Sequence, residues 1–287
     1  MAVRAAEAAI KESAVDPGDF SLVVHSSLWF QGVDMWPTAS YVARFTVGDQ
    51  VPAIDLLQQC NGAMAALELA AGQLSTRTQP AAALLTTADR FNLPAIDRWR
   101  SESGIVYGDG GTALVLSNRP SFGRLVSTAT VVDNSLEQVL RGGDFYDTPR
   151  GADTLRLTDR IASYMGGNGA IREAAMRLAQ AARSAVDQAL ADAGTDFAGV
   201  RKVVIPAGGR AKMEWQVNQL LGIEEDMTSW EFGRQNGHLG AGDQFAGLDD
   251  LLSRDELAVG DKVLLIGGGA GFSCTCAVIE IVDQHRR

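Results

Sequence analysis

A chain of 287 residues, 46% of them hydrophobic, is long enough to bury one large α/β domain or two similar halves. Its net charge of −10 and pI near 4.8 argue against non-specific nucleic-acid binding. No apolar run approaches the roughly 18 residues of a membrane-spanning helix, and the N-terminus lacks the apolar block of a signal peptide. Three cysteines, an odd number, do not make a disulfide framework, so a reducing cytoplasm is the expected setting.

Residues 2–14 are predicted helical, because Val3, Ala6, Ile10 and Val15 recur at helical spacing before Asp16-Pro17-Gly18-Asp19. Phe20–Val24 is a predicted buried strand closed by His25-Ser26-Ser27. Trp29, Phe30, Trp36, Tyr41 and Phe45 then crowd one stretch, which fits a pocket wall, a subunit contact or plain core.

The run IDLLQQCNGAMAALELAAGQL, residues 54–74, carries the first chemistry. An apolar strand (Ile54, Leu56, Leu57) stops at Gln58-Gln59, Cys60 follows, and Ala63 onward is made of strong helix formers. Met64, Leu67 and Ala71 share one face of that helix. Cys60 is thus placed at a helix N-terminus, where unsatisfied N–H groups and the positive dipole end favour a thiolate. That is a setting for a nucleophile, although a free cysteine is often only a small core residue.

Ala81–Thr87 is a predicted strand, Asn92–Gly104 a polar loop with a short helix, and Ile105–Leu116 a glycine turn plus strand. Gly108-Asp109-Gly110-Gly111 is too irregular for a dinucleotide fingerprint, and no helix follows it. Leu125–Val132 is another strand. Residues 133–169, with Phe145, Tyr146 and Tyr164, read as a connection between halves that covers the active site. A long helix is predicted over 170–193, a strand over Val203–Ile205, a helix over Lys212–Leu221, an extended stretch over Asp226–Phe232 and a helix over Gly242–Leu252. Lys262–Ile266 and Phe272–Val282 are strands around a glycine turn, and the last residues, with His285, form a polar tail. Cys274 and Cys276 share a strand face without a second ligand cluster, so no metal site is expected.

The chain reads as two related halves, residues 1–132 and 170–287, joined by 133–169. Each begins with helix, turn and strand; Gln58-Gln59-Cys60-Asn61-Gly62 and Gln235-Asn236-Gly237-His238 each lead into a helix; and each glycine turn precedes a late strand. Cys60 and His238 fall at comparable junctions, which two packed sheets would bring to one centre.

The order of these motifs resembles the ketoacyl-ACP synthase III branch of the thiolase superfamily. It is carried by residues 54–74, GDGGTALVL at 108–116, IPAGGRAK at 205–212, NGHLGAGDQFAGLDDLL at 236–252 and KVLLIGGGAGFSCTCAVIEI at 262–281. The resemblance implies an α/β thiolase-like fold, with two pseudo-repeated halves and mixed sheets in an αβαβα layering. Members of the family carry a further core strand and helix ahead of the first helix seen here, so the N-terminal half is expected to lack them. The family's condensing enzymes use a Cys, a His and an Asn. Here Ala207, in Pro206-Ala207-Gly208-Gly209, stands in place of that His, and His238 stands in place of the Asn.

Cys60, His238 and Asp243 therefore resemble the Cys/Ser–His–Asp variants of natural-product pathways. The implied function is acyl transfer in polyketide or antibiotic biosynthesis, from acyl-CoA or a phosphopantetheinyl acyl carrier to a hydroxyl, amine or carrier acceptor, with no bound cofactor. Cys60 would be the nucleophile, His238 the general base and Asp243 its orienter, with Asp249 and Asp250 as less favoured alternatives. The backbone N–H groups of Cys60 and Ala270 would form the oxyanion hole. His25 matches Ala207 in the repeat and is expected to be structural. Arg201, Lys202, Arg210 and Lys212, and separately Arg150, Arg156 and Arg160, would dock phosphate or an acidic carrier, unless they are only solvated surface charge. A homodimer is expected. A decarboxylating condensing enzyme and a non-catalytic partner subunit of a synthase are the alternatives.

Overall fold

A computed structural model describes residues 1–143, 145, 153–165 and 168–283, with side chains left aside over 164–171. Phe145 is exposed. Tyr146, Arg150, His285 and the side chain of Tyr164 lie outside the described residues.

The first half runs α1 (Ala2–Ser13), β1 (Phe20–Ser26), α2 (Thr38–Arg44), β2 (Ala53–Leu56), α3 (Gly62–Ser75), β3 (Ala82–Asp89), β4 (Gly110–Ser117) and β5 (Gly123–Val132). Short helices α4 (Gln138–Arg141) and α5 (Leu157–Met165) follow. The second half runs α6 (Asn168–Asp192), β6 (Lys202–Val204), α7 (Arg210–Glu214), which continues as a π-helix over Trp215–Leu221, then α8 (Trp230–Asn236), α9 (Asp243–Ser253), β7 (Lys262–Ile266) and β8 (Ser273–Ile281).

Two four-stranded mixed sheets result, ordered β2-β1-β3-β4 and β5-β8-β7-β6. Helices α3 and α9 lie between them, where Met64, Leu67, Phe245 and Leu248 pack against Leu85 and Leu265. Helices α1 and α2 cover the outer face of the first sheet through Ala6, Val42 and Val23. Helix α6 covers the second sheet through Val186, Leu190 and Leu264. This is an αβαβα sandwich. Strands β3, β7 and β8 are buried along their length rather than on alternate residues because both of their faces are covered. Helix α3 is buried more widely than the Met64–Leu67–Ala71 face implies, with Ala63, Ala66, Ala70 and Leu74 also inside, because both sheets press on it.

The structure corrects two expectations. The extended stretch expected over Asp226–Phe232 is instead a 3-10 turn at Glu225–Met227 and helix α8 from Trp230. Thr228 makes an isolated bridge to Val203. Strand β5, read as the end of the first half, pairs with β8 from Gly123↔Ile281 to Val132↔Ser273 and so belongs to the second sheet. By contrast β4, which parallels β8 in the repeat, is an edge strand. Within the aromatic stretch, Phe30, Tyr41 and Phe45 are about half exposed at 51%, 46% and 52%, whereas Trp29 packs against the buried cluster of Phe91 and Tyr107.

Candidate active site

The chain brings Cys60 to the seam between the halves by a tight turn. Gln59 takes a left-handed φ of 52°, uncommon for a residue with a side chain, and turns β2 sharply into the 3-10 turn that starts α3. The turn is fastened across the seam. Asn61 Nδ2 donates to Ser273 Oγ at 3.2 Å and Thr275 Oγ1 at 2.9 Å, and Gln58 Nε2 donates to Ser273 Oγ at 2.9 Å. The glycine turn after β7 lies against it: a Cβ on Gly269 would sit 2.7 Å from the Gln58 carbonyl oxygen, and one on Gly267 would sit 2.5 Å from Asn61 Oδ1. Glycine is required there for close backbone approach.

His238 arrives from the other half. Its backbone is pinned to the glycine turn before β4, with His238 N donating to Val106 O and Gly108 N donating to His238 O. Its Nε2 lies 3.0 Å from Cys60 Sγ, and its Nδ1 lies 2.6 Å from Asp243 Oδ2. Asp243 opens α9 and accepts from Leu239 N at 2.7 Å and from Ala207 N at 2.7 Å, so both its oxygens are held. His238 and Asp243 are each 3% exposed. Burial opposes charge on the imidazole, but the Asp243 carboxylate and the nearby Cys60 sulfur outweigh it, and the pKa of His238 is raised well above its ordinary value. An aligned Cys–His–carboxylate chain of this kind can move a thiol proton and hold the resulting imidazolium.

Asp249 and Asp250 stand away from this chain; Asp250 pairs with Arg254. His25 is buried with Nδ1 3.0 Å from Thr86 Oγ1, and burial lowers its pKa despite Asp55. It does not line the cavity at Cys60. The N–H groups of Cys60 and Ala270 donate to no protein acceptor among the described residues, and both residues line that cavity.

The cavity has a volume of about 750 Å³ and is walled largely by apolar side chains, including Trp29, Phe91, Ile105, Val139, Leu155 and Ile161. Segment 133–169 thus supplies part of its wall.

The basic cluster expected around 201–212 is split by the strand. Lys212 lines the cavity. Arg210 is tied to Glu214 and Glu225. Arg201 and Lys202 sit at the far end of β6, on the order of 20 Å of extended chain from Ala207, and Lys202 is paired with Glu256. That placement sets Arg201 and Lys202 apart from Lys212 at the cavity. In the second cluster Arg160 lines the cavity, whereas Arg156 pairs with Asp159.

Sequence reading missed Asp89, at the end of β3. It is 1% exposed and accepts from Leu28 N, Trp29 N and, more weakly, Ala241 N. Burial raises its pKa to about 6, against the pull of those N–H groups. It clamps the cavity wall at Trp29 and the turn after His238. Gly240 faces it with φ of 66°, and a Cβ there would lie 2.2 Å from Asp89 Oδ2. Gly240→Ala is therefore expected to lower stability by about 2–4 kcal/mol, through strain and displacement of a buried carboxylate, read as a fall in thermal midpoint. An unchanged midpoint would contradict this packing.

Family models for 3-oxoacyl-[acyl-carrier-protein] synthase III match residues 54–134, and those for its C-terminal part match 190–281. Among solved structures, the acyltransferase ChlB3 superposes with a TM-score of 0.91 at 35% identity, covering 99% of this chain and 84% of that one. The 3-oxoacyl-[acyl-carrier-protein] synthase III of Aquifex aeolicus has a TM-score of 0.76 at 21% identity, covering 98% and 83%. The β-ketoacyl-[acyl-carrier-protein] synthase III of Mycobacterium marinum is 24% identical over 290 residues, 99% of this chain and 81% of its own length. No helix among the described residues is long and apolar enough to cross a membrane. With both family halves matched in order and one relative above 30% identity along nearly its whole length, the chain belongs to the ketoacyl-ACP synthase III family of the thiolase superfamily.

Proposed function

We propose that this protein is a cysteine-dependent acyltransferase working in two half-reactions. Cys60 gives its proton to His238 Nε2 and attacks the carbonyl of an acyl-CoA or acyl-carrier thioester. The oxyanion is met by the N–H groups of Cys60 and Ala270. Collapse releases the pantetheine thiol, which takes the proton from His238. A hydroxyl, amine or carrier thiol then gives its proton to His238 and attacks the acyl-cysteine, and Cys60 leaves and is reprotonated. Asp243 holds Nδ1–H throughout, so that Nε2 faces the sulfur as a base.

One observation carries this reading. The Cys60–His238–Asp243 chain is unbroken, and the family's decarboxylation His is replaced by Ala207, whose backbone N–H serves Asp243 instead. The resemblance that made Ala207 notable also gives the test. Purified protein should pass an acyl group from acyl-CoA to an added nucleophile and release no carbon dioxide from a malonyl thioester. Carbon dioxide release would instead make it a condensing enzyme. Absence of both activities would favour a non-catalytic partner subunit.

We place the reaction in secondary-metabolite assembly, because transfer without a decarboxylative step starts no fatty-acid chain growth. The phosphopantetheine or CoA phosphates are assigned to the cavity mouth at Lys212, with Arg210 beside it. Lys212→Glu is expected to raise KM for the thioester donor about threefold to tenfold with kcat little changed, as for a charge that aids encounter; an unchanged KM would remove Lys212 from docking. A homodimer through the β2 edge is supported by exposed Ile54 and Leu57, 52% and 71% accessible. Light scattering that reads 30.4 kDa rather than twice that mass would exclude it.

A further inference from the structure

Among the polar groups that line the cavity, Tyr107 and Glu102 form the pair beside the triad. Tyr107 is 4% exposed and its phenol donates to Glu102 Oε2 at 2.5 Å. Both residues line the cavity that holds Cys60. The Tyr107 ring packs on Phe91 at 4.5 Å and lies 5.7 Å from the His238 ring, so the pair shares a chamber with the reacting atoms. Burial, reinforced by the Glu102 carboxylate, pushes the phenol pKa far up, so Tyr107 stays a donor and Glu102 its acceptor.

Glu102 Oε1 has no hydrogen-bond partner among the described residues. This matters once an acyl group fills the chamber. A purely apolar acyl chain would press against that oxygen and strip its water without replacing the hydrogen bond, which is costly for a charged group. An acyl group bearing its own carboxylate would be repelled. A hydroxyl or amino substituent would satisfy Oε1 and keep the rest of the acyl group against the apolar wall. Fixed polar groups in a largely apolar pocket are the usual source of such discrimination.

We propose that Glu102, held in place by Tyr107, selects acyl groups that carry a hydroxyl or amino hydrogen-bond donor. The assignment rests on the acyltransferase reading, with the acyl group seated at Cys60. Glu102 acts on specificity; it takes no part in the proton transfers of the triad.

The test uses acylation alone, without acceptor, followed by intact-protein mass. The probes are matched N-acetylcysteamine thioesters: benzoyl against its monohydroxy and monoamino isomers, and octanoyl against β-hydroxyoctanoyl. The wild type is expected to acylate faster with at least one substituted member, by about tenfold to a hundredfold over its unsubstituted partner, the worth of a hydrogen bond to a charged group. In Glu102→Ala that ratio should fall to about one, and in Tyr107→Phe it should fall part of the way. The ratio within a pair is insensitive to loss of folded protein, which a merely structural Tyr–Glu contact would cause. Equal rates within every pair in the wild type, or a preference that survives Glu102→Ala, would overturn the assignment while leaving acyl transfer standing. Failure of every thioester to acylate the wild type would overturn both.

Discussion

Asp243→Asn is expected to slow acyl transfer about ten-thousand-fold while leaving Cys60 in place, the scale found when a triad carboxylate becomes an amide. Asp243 Oδ2 faces His238 Nδ1 and Ala207 N, and Oδ1 faces Leu239 N. Every neighbour of the carboxylate is served as a donor. An amide must turn an NH2 toward one of them. Turned toward His238, it holds Nδ1 as the acceptor and leaves the proton on Nε2, which then faces Cys60 as a donor and cannot take the thiol proton. Turned the other way, it opposes the Leu239 N–H. Single-turnover release of CoA thiol measures the loss; a near-normal rate would show that Asp243 does not set the tautomer.

The same variant carries a pH signature. The folded state raises the pKa of His238 well above 6.5. A raised folded pKa adds stability that is complete below the unfolded value and is lost as pH rises through the folded one. The wild type should therefore exceed Asp243→Asn in thermal midpoint most in mildly acidic solution, and the gap should narrow toward alkaline pH. Melts from about pH 6 to about pH 9 read it. A gap that widens with pH would contradict an imidazolium held by Asp243.

His238→Ala removes the base and strands a carboxylate that is 3% exposed. Acylation should fall about a hundredfold to ten-thousand-fold. Leaving a buried charge without its partner costs about 3–5 kcal/mol, with the lower figure expected because two backbone N–H groups still serve Asp243. Denaturant unfolding and the CoA-release burst separate the two effects. A burst at the wild-type rate in a folded variant would remove His238 from the reaction.

The reach of the sequence follows from where the physics is local. Cys60 was legible because a strand, a polar stop and a run of helix formers announce a helix N-terminus. His238 and Asp243 were legible through the family resemblance, which set His238 in the place of the condensing enzymes' Asn with Asp243 five residues on. Asp89 was not, because it looks like any strand-end carboxylate; its partners Leu28, Trp29 and Ala241 come from distant turns. The ties of Asn61 to Ser273 and Thr275 span the two halves and leave no periodic trace. Helix α8 is short and carries Gly233, a poor helix former, so tertiary contact rather than propensity forms it. Strand β5 joins the second sheet through its pairing with β8, a choice between edges that its own residues do not encode. The basic cluster dispersed because neighbours in sequence lie at opposite ends of an extended segment.

An acyl-cysteine at residue 60 is the claim on which the rest depends. The most direct measurement is intact-protein mass, with peptide mapping, after brief exposure of wild type and Cys60→Ala to a panel of acyl thioesters. The wild type should gain the mass of one acyl group, mapped to the peptide containing Cys60 and removed by hydroxylamine, and Cys60→Ala should gain nothing. A mass gain that persists in Cys60→Ala, or that maps to Cys274 or Cys276, would contradict it.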